Sequence, residues 1–479
     1  MAENTLRPKS LQGKPPWKTQ EGQNRDAQNV DFDALFVLAE WGRGCSDRGH
    51  AVATFRFFSP AGTGLNDCID QERLQALASA RHEGCGLAGD FYFDPEIYRA
   101  EIDQIWRGGW LFAGHTCQIP EPGDFFTYEI DCESILILRD EDHCIRAFYN
   151  LCRHRGMRLA SGGGHATRFV CPYHQWNYDC KGQLCSSWGM GPDFDKSEWA
   201  LLPVAVHDPA GFVYISLAEQ PIPFEQVGAQ LVKFATPQGL ERACIAKCAE
   251  YEIDANWKII WENNRECYHC NVNHPQYIKA NFDHYNTDDC TPAIQTRIDA
   301  QVERNRAKWE TAGLAATHRQ TGMASFPDPE SESGWCAINR TVLVEGYMTE
   351  TMDGQQAAPL MGDYADPDVG TLRMRTMPNM WNHSSCDHAV TTRLTPAGPR
   401  KTLIQVLWLV DHDAVEGRDY QLDQLLPFWQ LTSEQDWEIC EQVQKGIESR
   451  AYRPGPFSTY KEKNLEAFVR WYLKQLVRD

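Results

Sequence analysis

Residues 152–174 read CRHRGMRLASGGGHATRFVCPYH. Two short knuckles, Cys152-x-His154 and Cys171-x-x-His174, stand at the ends of a stretch rich in glycine and positive charge. Two cysteines and two histidines ordinarily suggest structural zinc. Zinc fingers, however, pair Cys with Cys and His with His, in C-x2–4-C and H-x3–5-H units. Here each knuckle mixes the two types. That suits a [2Fe–2S] cluster in which Cys152 and Cys171 hold one iron and His154 and His174 the other. Neutral imidazoles in place of thiolates raise the potential to about −150 to +300 mV, against about −400 mV for plant-type all-cysteine clusters. Gly156, Gly162–Gly164, Pro172 and Gly182 would let backbone N–H groups approach the sulfides.

Working outward, both knuckles fall inside an all-β block over residues 108–220. WLFAGHTC, DFFTYEI, SILILRD, CIRAFYN, RFVCPYHQWNY and GFVYISL are short and rich in β-branched and aromatic residues, with Gly, Pro and Asp between them. Before the block, 71–107 reads as N-terminal helices packing on the later domain, with apolar residues at helical spacing in QERLQALASA and DPEIYRAEIDQIW. Residues 1–70 are polar apart from DALFVLAEW and read as a poorly ordered extension. Beyond the block, 221–479 alternates helices (FEQVGAQLVKFA, a helix over ANWKIIWENNRECYHC, a helical insertion at 300–325, and helices at 421–449 and 461–477) with strands (TVLVEGYM, TLRMRTM, AVTTRLT, TLIQVLWLV). Strands with helices laid over them predict an α+β domain.

A chain of 479 residues with a formal net charge of −20 is long enough for two or three domains. That charge argues against nucleic acid or an anionic membrane as partner, and leaves a small cationic substrate open. The N-terminus lacks an apolar segment of the secretory type, and no apolar run approaches a bilayer-spanning length. A cytoplasmic location follows as the expectation, with the eighteen cysteines reduced apart from a few serving as metal ligands.

A cluster of this kind moves single electrons, so a place for them to go is needed. In NWKIIWENNRECYHCNVNHP, residues 256–275, a continuous helix puts Glu262, Glu266 and His269 on one stripe. Pro275 pushes His274 out of helical geometry, so the helix breaks between His269 and His274 and both imidazoles can aim at one point. Two His want a carboxylate to complete the triad of non-haem Fe(II) oxygenases. In LLPFWQLTSEQDWEICEQVQKGI, Asp436 shares an otherwise apolar stripe with Leu425, Trp429, Cys440, Val443 and Ile447. A buried carboxylate there needs a cation, which an iron or an ordinary salt bridge would provide. Asp387, in SCDH, is the rival ligand.

With both sites in view, the chain resembles the α-subunits of Rieske non-haem iron oxygenases, and within them the quaternary-ammonium group, nearest its glycine betaine oxygenases. The resemblance runs from about Gly86 to the C-terminus. It rests on DPEIYRAEIDQIWRGGWLFAGHTCQIPEPGDFF, CRHRG, NWKIIWENNRECYHCNVNHP, TMDGQQA, MWNHSSCDH, DAVEGRDY and AYRPGPFS. It implies an all-β Rieske [2Fe–2S] domain plus a helix-grip α+β catalytic domain with a mononuclear Fe(II). His269, His274 and Asp436 match the family's iron ligands, and Glu266 matches the acid linking that iron to the Rieske histidine of a neighbouring subunit. Ring-hydroxylating dioxygenases usually carry Asp there. The resemblance further implies a homotrimer and a flavin and iron–sulfur NAD(P)H reductase as electron donor. It implies N-methyl hydroxylation of glycine betaine to dimethylglycine and formaldehyde. Choline, carnitine and stachydrine oxygenases share much of this text, and an arene oxygenase is the more distant alternative. For binding a cation without N–H donors, the candidate aromatic faces are Tyr268, Phe282, Tyr285, Tyr347 and Trp381.

Overall fold

Asp94 accepts the Glu96 N–H, and Pro95 takes the first helical position, so the DPEIY sequence starts a helix where it should. The computed structural model describes residues 71–282, 291–315 and 335–477. The expected extension over 1–70 lies outside them, as do Tyr285 and the later part of the expected helical insertion. Helices α1 (Gln71–Ser79), α2 (Asp90–Phe93) and α3 (Pro95–Glu101) lead the described chain, and α3 runs on as a π-turn over Ile102–Trp106.

The all-β part follows in ten strands: β1 (Trp110–His115), β2 (Asp124–Ile130), β3 (Glu133–Arg139), β4 (Ile145–Tyr149), β5 (Gly163–His165), β6 (Phe169–Val170), β7 (Asn177–Tyr178), β8 (Leu184–Ser186), β9 (Pro203–His207) and β10 (Phe212–Ser216). Seven form one sheet in the order β1-β10-β9-β4-β3-β2-β5, and β6-β7-β8 form a small second sheet. The first knuckle follows β4 and the second joins β6 to β7, so one loop comes from each sheet. A separate apolar cluster including Leu136, Phe148, Phe169, Trp176 and Tyr178 lies behind them.

The rest is helix over sheet, as expected for the helix-grip class. Its elements are α4 (Glu225–Ala235), β11 (Cys244–Ile253), α5 (Trp257–Asn264), α6 (Cys270–Asn273), α7 (Pro275–Ala280), α8 (Pro292–Thr311), β12 (Cys336–Thr341), β13 (Thr371–Thr376), β14 (Met380–Ser384), β15 (Ala389–Pro396), β16 (Thr402–Val410), α9 (Leu422–Leu425), α10 (Pro427–Ile447) and α11 (Lys463–Leu476). The antiparallel sheet runs β11-β16-β15-β14-β13-β12. Its register sets Arg375, Trp381, Thr392 and Val406 in one cross-strand row. Trp381 in that row meets Trp261 of α5 at 5.4 Å and Trp437 of α10 at 6.3 Å between ring centres. Both helices therefore lie on this face.

Several boundaries differ from the sequence expectation. The strand expected at TVLVEGYM ends where it was to begin: β12 spans Cys336–Thr341, and 342–348 form no strand. The strands β11 and β14 were not anticipated. CIAKCAEYEI alternates charged with apolar residues at a sheet edge, and MWNHS is polar because it is buried against other polar groups. Val443 leaves the apolar stripe of α10 and is 41% exposed.

One fully buried charge pair clamps α5 from below. Glu101 Oε1 accepts from Lys258 Nζ at 2.5 Å and from the Tyr472 hydroxyl at 2.5 Å, while Oε2 accepts from Trp257 Nε1 at 2.8 Å. Carboxylate and ammonium satisfy each other across α3, α5 and α11. Lys258→Met leaves the carboxylate buried without its cation and should destabilise the chain by about 3–5 kcal/mol. Adding Glu101→Leu should recover much of that loss in urea melts; a double variant weaker by the sum of both singles would contradict the pairing.

Candidate metal centres

The two knuckles are one hairpin built twice. Gly156 N–H donates to the Cys152 carbonyl at 2.9 Å, and Cys152 N–H to the Met157 carbonyl at 2.7 Å. Gln175 N–H donates to the Cys171 carbonyl at 2.9 Å, and Cys171 N–H to the Trp176 carbonyl at 2.8 Å. Each turn closes through a left-handed residue, Gly156 at φ 72° and Gln175 at φ 59°. Glycine takes that conformation freely; glutamine does so at a cost. Cys152 and Cys171 are buried. Burial, and after it the Cys152 thiol alongside, push the Cys171 thiol up, so a pair of thiolates here calls for a cation. The rings of His154 and His174 sit 4.5 Å apart, and each Nδ1 is buried without a hydrogen-bond partner. Two orphaned imidazole nitrogens beside two buried thiols make a donor set that fits a [2Fe–2S] cluster.

Tyr178 was missed by the sequence reading. Its Oη accepts the Arg153 N–H at 3.1 Å and lies 3.4 Å from Cys152 Sγ, leaving the hydroxyl proton for the sulfur. A donor on a ligand sulfur stabilises the more negative, reduced cluster. The signal in the sequence was an aromatic strand residue just past the second knuckle.

The second group forms where α5 gives out. Asn256 caps the helix by accepting the Lys258 N–H, but the helix ends at Asn264, earlier than expected. Glu266 and His269 are therefore in a turn and share no helical stripe with Glu262. Local bonds win over helix propagation: one Glu266 oxygen accepts the Tyr268 N–H, and the other takes His269 Nδ1 at 2.5 Å. Cys267 and Cys270 are joined in a disulfide across the same turn, which corrects the expectation of reduced thiols at this pair. His274 stands between α6 and α7 at φ −125° and ψ 65°, with Pro275 opening the next helix.

This brings His269, His274 and Asp436 together. Asp436 Oδ1 lies 3.2 Å from His269 Nε2 and 2.9 Å from His274 Nε2. The imidazoles are nearly perpendicular, at 85°. Three donor atoms converging from two imidazoles and one carboxylate fit a divalent metal with open positions. Asp387 is not brought to them; it accepts from Thr349 Oγ1, His388 Nδ1 and the Ala357 N–H in a buried network of its own. Glu262 also faces away, accepting from the Tyr92 hydroxyl at 2.7 Å, where burial pushes its carboxyl up to about 7.

Of the candidate aromatic faces, Tyr268 is 59% exposed, Phe282 packs in a separate cluster with Ile298 and Trp309, and Tyr347 is half-buried. Trp381 alone of the described ones joins the wall around α10, with Trp437 next to Asp436 in the chain. Trp429 completes the wall, tilted against His383 at 4.3 Å and edge-on to Tyr277 at 5.8 Å between ring centres. Sequence reasoning missed Trp429 and Trp437 as candidates; their place two turns or one residue from Asp436 was the available clue.

The family model for the ring hydroxylating alpha subunit (catalytic domain) matches residues 240–477, and the Rieske [2Fe–2S] domain matches residues 109–192. The glycine betaine monooxygenase oxygenase subunit of Chromohalobacter salexigens is 39% identical over 391 residues, covering 81% of this chain and 84% of that protein. Its counterpart from Pseudomonas aeruginosa is 36% identical over 421 residues, covering 87% and 95%. Among solved structures, the quaternary ammonium Rieske monooxygenase CntA superposes with a TM-score of 0.62 at 20% identity, covering 86% of this chain and 99% of that one.

Without a metal, protons hold the second centre together. Burial opposes charge on His269, yet Asp436 and Glu266 outweigh it and hold the imidazole at about 10. Burial would likewise raise the Asp436 carboxyl, and the hydrogen bonds from His269 and His274 leave it below its ordinary value. A metal arriving at Nε2 must displace the His269 proton at any pH below about 10. Co(II) affinity of the metal-free protein should therefore rise about tenfold per pH unit from 6 to 8, with proton release measurable by calorimetry. Affinity independent of pH would show that His269 is not displaced.

Proposed function

Because the chain belongs to the Rieske non-haem iron oxygenase α-subunits, we propose that it demethylates a quaternary ammonium compound, glycine betaine, to dimethylglycine and formaldehyde. Members of the family are oxidoreductases with a Rieske [2Fe–2S] cluster and a mononuclear iron. When bound, the cluster passes single electrons and the iron activates O2. Cys152, His154, Cys171 and His174 would hold the cluster, and His269, His274 and Asp436 the iron. The observation carrying the reading is this last trio converging at Asp436 of α10, the helix whose next residue, Trp437, packs against Trp381.

The substrate is a permanent cation with no N–H to offer, so hydrogen-bond acceptors gain little from it. Tryptophan faces attract such a cation, each by ~0.5–2 kcal/mol, and exclude water at the same time. The reaction consumes O2, two electrons and two protons, turning N–CH3 into N–CH2OH and water. Loss of the hydroxyl proton then breaks the C–N bond toward nitrogen, which leaves formaldehyde and the tertiary amine. Glu266 holds the Nδ1 proton of His269, so Nε2 is the nitrogen that would bind the metal once its own proton is displaced.

The relatives are named as oxygenase subunits, which supports a separate reductase, of the flavin and iron–sulfur NAD(P)H type. Among the described residues no helix is long and apolar enough to cross a membrane. The reading places the protein in the cytoplasm as a homotrimer in which Glu266 faces His174 of the next subunit. Exposed apolar residues rim both centres: Tyr173 beside His174 is 52% exposed, and Val272 beside Asn273 is 85% exposed.

With reductase, NADH and a panel of glycine betaine, choline, carnitine and stachydrine, formaldehyde should appear fastest with glycine betaine. Formaldehyde from another member of the panel, and none from glycine betaine, would reassign the substrate. Asp436→Ala should lose mononuclear iron and keep the cluster spectrum, whereas Asp387→Ala should keep both; the reverse pattern would move the ligand to Asp387.

Glu266→Gln should leave both centres populated and the cluster reducible by dithionite, yet lower turnover at least tenfold, on the order expected for losing an orienting partner. Near-normal formaldehyde production in this variant would remove the bridging role.

A further inference from the structure

The orientation of His269 is set by a carboxylate, but His274 has no acid on its outer nitrogen. Its Nδ1 lies 2.8 Å from Gln435 Oε1. We infer that Gln435 is a positioning residue for His274, fixing its Nδ1–H form through a one-way run of hydrogen bonds that starts at a backbone carbonyl of α10. The inference rests on reading His274 as a metal ligand.

The direction of each bond follows from the one before. Thr432 Oγ1 donates its only proton to the Phe428 carbonyl at 2.7 Å. Toward Gln276 that hydroxyl can then only accept, so Gln276 turns its amide nitrogen to it, at 2.9 Å. The same Nε2 has a second hydrogen, given to Gln435 at 2.9 Å. A group receiving that hydrogen must be the oxygen, which settles the amide orientation of Gln435. Its Oε1 can only accept from His274, so a proton is held on Nδ1, and Nε2, 2.9 Å from Asp436 Oδ1, is the nitrogen turned to the metal side. Turning Gln435 over would set its N–H groups against that Gln276 donor and put the imidazole proton on the metal side.

Packing makes the run hold. Thr432 and Gln276 are buried, at 5% and 6% exposure, so water competes poorly for their polar atoms. Gln276 follows Pro275 at the start of α7, and Gln435 precedes Asp436 on α10. The residue that orients one ligand is thus the chain neighbour of another. The two imidazoles also come out unequal. His269 donates to a carboxylate and is the more basic ligand, while His274 donates to a neutral amide.

The test is metal affinity of the metal-free mononuclear centre, with Co(II) as probe and the cluster spectrum as the check on folding. Gln435→Leu should weaken Co(II) binding roughly 10–100-fold and shift the cobalt d–d bands. Gln435→Glu, an acceptor at the same place, should restore binding to within about threefold of wild type. If Gln435→Leu loses the cluster, Gln276→Leu serves instead, since it frees the Gln435 amide to turn and should weaken Co(II) in the same direction. Wild-type affinity in the leucine variant, or no recovery in Gln435→Glu, overturns the inference. His274→Ala separates the two readings. If it binds Co(II) like wild type, the ligand assignment itself fails; if it loses Co(II) while Gln435→Leu does not, only the positioning role does.

Discussion

A single carboxylate oxygen, Asp436 Oδ1, lies within 3.2 Å of one imidazole nitrogen and 2.9 Å of another. The histidines come from a broken helix, and the acid from a helix far along the chain. Bringing them to one point within a few tenths of an ångström means that α10 must cross α5 at a fixed height. Its tryptophans do this against the sheet, with Trp437 on Trp381 and on Tyr251, and Trp429 on His383. At the far end, Gln444 Oε1 accepts the Asn256 N–H at 2.9 Å, pinning the C-terminal part of α10 to the start of α5. These contacts set position along two axes, and the pair Lys258–Glu101 fixes α5 from the opposite side. A carboxylate on an otherwise apolar helix face would be costly in any other arrangement.

The break after Asn264 has the same logic in miniature. No glycine or proline ends α5. Instead Glu266 folds back on its own backbone and on His269, and the Cys267–Cys270 bond closes the turn around that histidine. A helix would have pointed His269 along a fixed stripe; a turn lets Glu266 choose its direction. Pro275 then forbids the helical geometry at His274 and starts α7, which delivers Gln276. Function occupies the places where regular structure stops.

That also explains how far the sequence could be read. The four knuckle residues were legible because mixed Cys/His spacing is rare and local. His269 and His274 were legible because Pro275 marks a break, and Asp436 because an acid on an apolar stripe stands out. The helix end at Asn264 was not, since side chain-to-backbone bonds of Glu266 leave no compositional mark. β14 was hidden for a related reason: Asn382, His383 and Ser384 look like loop residues and are buried strand residues, with Asn382 donating to Thr391 Oγ1 and accepting from Ser384 Oγ. Gln435 was invisible because its partners are set by tertiary contact alone, and Tyr178 offered only its place just past the second knuckle.

The two centres turn opposite sides of the imidazole to their metals. At the knuckles, Nδ1 of His154 and His174 is buried and unpartnered, the orientation in which Nδ1 meets the cluster and Nε2 is turned outward. At the second centre Nε2 meets Asp436, and Nδ1 of His269 is turned to Glu266, whose side chain is 11% exposed. An electron leaving a cluster through His174 Nε2 and entering through Glu266 and His269 Nδ1 would cross on hydrogen-bonding atoms at both ends. Within one imidazole the two nitrogens are joined by conjugation, so each ring conducts between its metal and its outer edge. Using Nδ1 on one side and Nε2 on the other therefore leaves complementary edges facing out. On the trimer reading, the Glu266 carboxylate would stand between them and could accept from both rings.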